Sequence, residues 1–291
     1  MIPEEYQKYE KVVSVACISF ATVWGNKQAN LDKMKKFIGD AATQGNNFVV
    51  FPELALTGYE CDDGCMHHAN AETIPGSSTE EIAALAKKHN VYVIFGLPER
   101  DKKDPNIRYI SSAVIGPEGL LGAYRKLHLM EAPLTEYKCF TPGNELPIFE
   151  TRFGPIGVQI CYDFWSFPEM TRLLTLKGAR IVFNTTASPS GPGKPLFMAQ
   201  QTGARAVENL IYTASANLTG KDRTKMFYGR STIAGRGYKI AQIYAEGGEE
   251  EGIVSATLSF ELLHKLRETN RIAEKVRYDI LLKELNQLYA R

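Results

Sequence analysis

The sequence has little excess of either charge: 34 Lys+Arg stand against 33 Asp+Glu, a formal net charge of +1. A polyanionic partner would find no electrostatic footprint, so nucleic-acid binding is not expected. Long hydrophobic runs are missing too, and no apolar stretch approaches the roughly 18 residues a membrane-crossing helix needs. The N-terminal segment MIPEEYQKYEK is mixed in charge, and the run from Val12 to Phe20 contains two serines. That run reads as a strand and not as a secretory leader. Cysteine is sparse: five residues, an odd number, with no framework spacing. This usage fits a reducing compartment, and a cytoplasmic protein is expected. Phosphate-binding and dinucleotide fingerprints are absent. What is present is 44% hydrophobic residues in a chain of 291, enough for one large α/β domain or two small ones.

Short apolar runs alternate with helix-period segments, the pattern of an α/β architecture. Strands are expected at Val12–Phe20, Phe48–Phe51, Val91–Phe95 and Gly157–Ile160, and at Ile181–Phe183, Ile211–Ala216, Lys239–Tyr244 and Gly252–Thr257. Ile110–Ile115 and Leu120–Tyr124 flank Gly-Pro-Glu-Gly as an antiparallel hairpin. Asn30 is placed to cap a helix ending at Gly45, and Ser78-Thr79-Glu80-Glu81 has the form of a capping box for a helix through His89. Further helices are expected over Pro168–Lys177, Pro195–Leu210 and much of Phe260–Arg291. The chain divides into a main domain over 1–270 and a helical extension over 271–291, which packs on its own domain or contacts a second subunit.

Three ionisable residues sit just past strands, where α/β sheets collect reactive groups: Glu53 after FVVFP, Lys126 after LLGAYR and Cys161 after GVQI. A thiol with pKa near 8.5 is only a few per cent thiolate at neutral pH, so it needs a base or a cation beside it. A desolvated Glu53 serves as the base, and Lys126 stabilises the thiolate and then an oxyanion. The backbone N–H of Tyr162, directly after the sulfur, is a second oxyanion donor. The set describes acyl transfer through a thioester, with no metal and no organic cofactor. A second carboxylate near the leaving group would help, and Glu131, Glu136 and Glu145 are all available.

Phe51-Pro-Glu-Leu-Ala-Leu-Thr-Gly-Tyr59, Tyr124-Arg-Lys-Leu-His-Leu129 and Gly157-Val-Gln-Ile-Cys-Tyr-Asp163 resemble the three signatures of the nitrilase superfamily of carbon–nitrogen hydrolases. Phe167-Pro-Glu, Lys177-Gly-Ala, Ala204-Arg-Ala-Val-Glu-Asn209 and Gly229-Arg-Ser follow in order, so the resemblance covers nearly the whole chain. It implies a four-layer α-β-β-α sandwich forming homodimers or larger homo-oligomers. It also implies Glu53 as general base, Lys126 as the stabilising cation and Cys161 as nucleophile. Glu136, in Glu136-Tyr-Lys-Cys-Phe-Thr-Pro-Gly143, is the second glutamate on the same ground. One departure is a turn after Cys161 that is one residue longer than the common spacing.

Cys161-Tyr-Asp163 looks more like the amidase and N-carbamoyl hydrolase branches than like true nitrilases, so a small amide or carbamoyl compound is the expected substrate and a nitrile the alternative. Tyr59, Phe164, Trp165 and Thr186 are candidates to line the substrate pocket. The Phe164–Trp165 pair favours an uncharged, apolar or cationic substrate end. Arg172 and Arg205 are possible carboxylate binders. A reading from another class is a zinc-stabilised binding module built on Cys61-Asp-Asp-Gly-Cys-Met-His-His68, although the paired spacing of a tetrahedral site is absent.

Overall fold

Strands buried on both faces read as short continuous apolar runs, and helices buried on one face read as longer amphipathic ones. The computed structural model, which describes residues 3–61, 65–131, 135–237 and 240–290, follows that division. Its strands are β1 (Val12–Ser19), β2 (Phe48–Val50), β3 (Tyr92–Arg100), β4 (Arg108–Gly116), β5 (Gly119–Arg125), β6 (Ile148–Phe149) and β7 (Ile156–Ile160). They continue as β8 (Ile181–Thr186), β9 (Tyr212–Asn217), β10 (Thr219–Lys221), β11 (Met226–Tyr228), β12 (Thr232–Arg236), β13 (Ala241–Glu246) and β14 (Gly252–Ser259). One six-stranded sheet has the order β14-β1-β2-β3-β4-β5 and the other β13-β12-β9-β8-β7-β6, with β10–β11 a separate hairpin. The middle of each sheet is parallel: β1, β2 and β3 in the first, β7, β8 and β9 in the second.

The two sheets pack face to face. Phe48 of β2 lies 4.9 Å from Phe183 of β8 between ring centroids, and Ser112 of β4 shares a 2.7 Å hydroxyl bond with Thr185 of β8. Helices α1 (Lys27–Thr43), α2 (Cys65–Asn70) and α3 (Ser77–His89) belong to the first half of the chain, and α1 and α3 cover the first sheet. Helix α4 (Tyr162–Ser166) follows β7, and α5 (Pro168–Leu176) and α6 (Lys194–Asn209) cover the second sheet. The result is the expected α-β-β-α sandwich.

Several boundaries differ from the sequence-based expectation. Asn26, not Asn30, caps α1 by accepting from the Ala29 N–H at 3.1 Å. Asn30 lies buried inside the helix and donates to the Val23 and Leu56 carbonyls at 3.0 and 3.1 Å, tying down the chain after β2. At α3 the cap is Gly76, whose N–H bonds to Thr79 Oγ1 at 2.8 Å, while Ser78 donates to Glu72 at 2.7 Å. Lys239 lies outside the described residues. The tail is three helices, α7 (Phe260–Asn270), α8 (Ile272–Lys275) and α9 (Tyr278–Tyr289), broken at Arg271 with φ 42°. Helix α7 docks through Phe260, Leu263 and His264, whereas α9 buries nothing and leaves Ile280, Leu281, Leu282, Leu285 and Leu288 exposed.

Candidate active site

Each reactive side chain is set by a sharp turn at the end of a strand. Pro52 ends the β2 ladder, and Leu54, immediately after Glu53, adopts φ 49°. Gly96 of β3 passes so close that an added Cβ would lie 2.3 Å from the Leu54 nitrogen and 2.6 Å from the Pro52 carbonyl. Only glycine admits that approach, and it pins the Glu53 turn against the sheet. Lys126 follows β5, with its N–H on the Ile110 carbonyl at 2.9 Å and its carbonyl accepting from Gly143 at 2.7 Å. Glu136 opens a single 3-10 turn just after Thr135, which has φ 54°. Cys161 itself has φ 49° and ψ −102° at the junction of β7 and α4. Such conformations cost about 1–3 kcal/mol each and persist where the surroundings enforce them. The enforcing contacts at Cys161 include hydrogen bonds from its N–H to Asn184 Oδ1 and the Thr185 carbonyl, at 2.9 and 3.0 Å.

These turns bring four predicted residues together. Lys126 Nζ donates to Glu53 Oε1 at 2.7 Å and to Glu136 Oε1 at 2.8 Å. All three side chains are 0% exposed. Glu136 also accepts from the Tyr59 hydroxyl at 2.6 Å and from the Met130 N–H at 2.9 Å. The second oxygen of Glu53 accepts from the Ala187 N–H at 3.1 Å. Cys161 borders this cluster, its sulfur within interaction range of Glu53 and of the Thr186 hydroxyl.

Two carboxylates share one ammonium here, so a proton is poised between charge states. Burial pushes the Glu53 carboxyl up to about 7, against the pull of Lys126, and Glu136 pushes the same way as burial. Burial opposes charging Lys126, but Glu136 and Glu53 outweigh it and hold the ammonium well above its usual range. Burial and then Glu53 push the Cys161 thiol up to about 12, so at neutral pH the sulfur rests protonated. A neutral nucleophile beside a base titrating near 7 suits proton transfer during attack rather than a standing thiolate.

Tyr162 is the first residue of α4, where the helix leaves the N–H without an intrahelical partner, next to the sulfur. Thr186 stands beside Cys161. The Tyr59 hydroxyl is taken up by Glu136, so this residue orients the acid. Phe164 does not face the site: it is 0% exposed in a separate apolar cluster with Leu174, Ala179, Val182 and Ile211. Helical periodicity explains the correction, because consecutive residues of α4 point in different directions. Trp165 is half-buried and donates to Thr186 Oγ1 at 3.2 Å. Glu131 is exposed at the surface, and Glu145 lines a different cavity with Arg125 and Asn144.

The two arginine candidates are occupied elsewhere. Arg205 donates to the Phe164 and Trp165 carbonyls at 2.9 and 2.8 Å, and Arg172 to the Glu208 carbonyl at 2.6 Å. Of the zinc-type loop, Asp62, Asp63, Gly64 and the Cys65 side chain lie outside the described residues. His67 is buried with its ring 5.0 Å from Phe140, His68 is exposed, and no metal-binding group of three or more ligands occurs among the described residues.

Sequence reasoning assigned no role to Asp163, which is fully buried. It accepts from the Tyr124 hydroxyl at 2.6 Å, from the N–H groups of Leu127 and His128 at 3.1 and 2.9 Å, and contacts His128 Nδ1 at 2.8 Å. It therefore ties the chain after Lys126 to the helix after Cys161. A second unforeseen clamp joins Asp222, which accepts from the Tyr59 and Glu60 N–H groups, to Glu60, which accepts from residues 223–225. An acid two residues past the nucleophile was a signal for the first clamp; the second has none, since its halves lie far apart in the chain.

Known proteins share both the sequence and this arrangement of sheets. The profile of the carbon-nitrogen hydrolase family matches residues 14–268. A probable nitrilase of Schizosaccharomyces pombe is 36% identical over 259 residues, covering 87% of this chain and 91% of its own. An omega-amidase of Homo sapiens is 30% identical over 276 residues, covering 90% of this chain and 94% of its own. Among solved structures, Saccharomyces cerevisiae Nit3, a member of branch 10 of the nitrilase superfamily, superposes with a TM-score of 0.82 at 27% identity, covering 93% of this chain and 98% of that one. A buried Glu–Lys–Glu cluster beside a strained cysteine, on a double sheet shared with these relatives, places the chain in the carbon–nitrogen hydrolase family of the nitrilase superfamily.

Proposed function

We propose that this carbon–nitrogen hydrolase cleaves a small amide, or an N-carbamoyl compound, through a thioester on Cys161. The observation that carries the reading is the fully buried Lys126 bonded to both Glu53 and Glu136 beside Cys161, where burial raises the Glu53 carboxyl to about 7. Cys161 Sγ attacks the carbonyl carbon as its proton passes to Glu53. The oxyanion that forms is met by the Lys126 ammonium and the Tyr162 N–H, in a site closed enough to make such donors worth several kcal/mol. Glu53 returns its proton to the departing nitrogen, which leaves as ammonia or an amine, and the thioester remains. Water then attacks the thioester, giving a proton to Glu53. Collapse releases the acid, and Glu53 reprotonates the sulfur. Glu136 acts on Lys126, which it holds at 2.8 Å, and is in turn oriented by Tyr59.

Amides are favoured over nitriles because Cys161-Tyr-Asp163 lacks the tryptophan and glutamate that mark the nitrile-cleaving branch. The nitrilase among its relatives supports the second reading, hydrolysis of a nitrile by the same sulfur. A panel of amides, carbamoyl compounds and nitriles, with ammonia and carbon dioxide measured separately, decides between them. Amide turnover is expected; turnover of nitriles alone would reverse the assignment. The reduced thiols of Cys17, Cys61 and Cys161 suit a reducing compartment such as the cytoplasm. The unburied apolar side chains of α9 suit a contact between two copies of the chain. Sedimentation of the full chain should show a dimer that dissociates when residues 277–291 are removed, and an unchanged mass would refute that role.

A further inference from the structure

The chain after β2 meets the hairpin of β10 and β11 through two acids that grip each other's main chain. Asp222 stands at the turn between the two strands. Its Oδ2 accepts from the Tyr59 and Glu60 N–H groups at 3.0 and 2.8 Å, and its Oδ1 from the Thr22 hydroxyl at 2.7 Å. Glu60 Oε2 in return accepts from the N–H groups of Arg223, Thr224 and Lys225 at 2.9, 2.6 and 2.8 Å. These donors are backbone N–H groups and a hydroxyl, so the carboxylates fix where the main chain runs. Gly58 makes the approach possible: it has φ 90°, and an added Cβ would lie 2.6 Å from Asp222 Oδ1 and 2.9 Å from the Trp24 ring. The hairpin also reaches the Tyr59 side chain, which Phe227 of β11 meets edge-on with ring centroids 6.0 Å apart.

Tyr59 is thus held at both ends. Its N–H is spent on Asp222, and its hydroxyl on Glu136 Oε1 at 2.6 Å, the oxygen that also accepts from Lys126 Nζ at 2.8 Å. Lys126 divides its donors between that oxygen and Glu53 Oε1 at 2.7 Å. A Glu136 oxygen relieved of the phenol would accept more strongly from the ammonium and draw it off Glu53. We infer that Asp222 is a positioning residue for the catalytic cluster. It touches no reacting atom; by fixing the main chain at Tyr59 it keeps the phenol on Glu136 and the ammonium shared between the two glutamates. Glu60 serves the same end, because it holds the turn that carries Asp222. A clamp that only braced the loop would stabilise the fold and leave the cluster as it is.

This role for Asp222 rests on the reading of Glu53 as base, and the two fail differently under one double-mutant cycle. Asp222→Ala, Tyr59→Phe and the double variant of the full chain should be compared on whichever amide, carbamoyl compound or nitrile it turns over fastest. Each single change should lower kcat about tenfold and alter KM less than about twofold, since a small misplacement of a catalytic group alone costs up to about 10²-fold. Each should also move the acid limb of the profile to higher pH, because Glu53 loses part of the pull of Lys126 that opposes its protonation. The double change should cost no more than either single one, the mark of two residues acting through one contact. Asp222→Asn should keep near-full turnover, because its carbonyl oxygen still accepts from both N–H groups and its amide donates to Thr22. Losses that multiply, asparagine as damaging as alanine, or an Asp222→Ala protein that loses stability in urea while kcat and the acid limb stay in place would overturn the assignment. Should Asp222→Ala not fold, Thr22→Val, which removes the donor to Oδ1, takes its place in the cycle. If no compound is turned over, the reading of Glu53 fails by itself, and the rate of Cys161 alkylation by iodoacetamide replaces kcat. Equal slowing in both single variants and the double then supports the positioning role; additive slowing, or none, refutes it.

Discussion

Strand β8 has a cluster of buried charge at each end, and the two behave differently. Past its carboxyl end, Glu53, Lys126 and Glu136 are joined by bonds of 2.7 and 2.8 Å. Before its amino end stand Arg180, Arg267 and His264, with no carboxylate paired to either arginine among the described residues. Arg180 donates to the Phe153 carbonyl at 2.7 Å and lies 3.5 Å over the Phe260 ring, and Arg267 donates to the Leu210 and Ala179 carbonyls. Burial, then Arg267, brings Arg180 down to about 10, and burial with its arginine neighbours brings His264 down to about 4. Carbonyls and ring faces cannot take a proton, so the amino end holds charge still. Carboxylates can, so only the carboxyl end has a proton free to move near pH 7. Burial alone does not make a reactive site; the ratio of carboxylates to ammonium does.

The comparison is sharpened most by Glu53→Gln, which keeps the shape and removes the base. Turnover should fall by about 10² to 10⁴, the usual worth of a positioned base. The decline of activity below pH 7, due in the unsubstituted protein to Glu53 gaining its proton, should vanish from the profile. The same carboxyl bears on stability. Its folded pKa of about 7 exceeds the ordinary 4.5, so between those values the folded chain holds a proton that the unfolded chain releases. Its contribution is full below pH 4.5 and is lost as pH rises through 7, and Gln should flatten that loss in urea titrations. A profile with the same acid limb would assign the proton to another group.

Removing a buried cation from each end should give a smaller effect and an unequal one. Lys126→Met strands two carboxylates together and should cost about 3 kcal/mol, the lower end for breaking a buried ion pair. The loss should grow with pH, because without the ammonium the folded Glu53 carboxyl holds its proton still more firmly than the unfolded chain does. Arg180→Met should change stability by no more than about 1 kcal/mol, since the guanidinium is desolvated and its Nε and Nη2 make no hydrogen bond. Chemical denaturation at pH 6 and 8 measures both. Equal losses would mean that the two ends are equivalent structural clusters.

The strands, the double sheet and the positions of Glu53, Lys126 and Cys161 were legible because local patterns specify them: short apolar runs end in Pro-Glu, Arg-Lys or a cysteine before a helix. The partners of these residues were less so. Asn30 has the chemistry of a cap, but its side chain reaches back to Val23 and across to Leu56. Phe164 and Trp165 are adjacent in sequence and their rings touch at 5.0 Å, but Phe164 is wholly enclosed in an apolar cluster while the half-buried Trp165 reaches Thr186 with its indole N–H, a distinction set by where α4 begins. Tyr59 meets Glu136 across 77 positions, and Asp222 meets Tyr59 across 163, spans over which periodicity carries no information.

The most direct measurement is the mass of the intact protein, quenched during turnover of a slow amide or ester. An acyl adduct should appear, map to Cys161, and be missing from the Cys161→Ala protein, which should lose at least about 10⁴-fold in rate. Turnover without an adduct, or an adduct on another residue, would contradict the account.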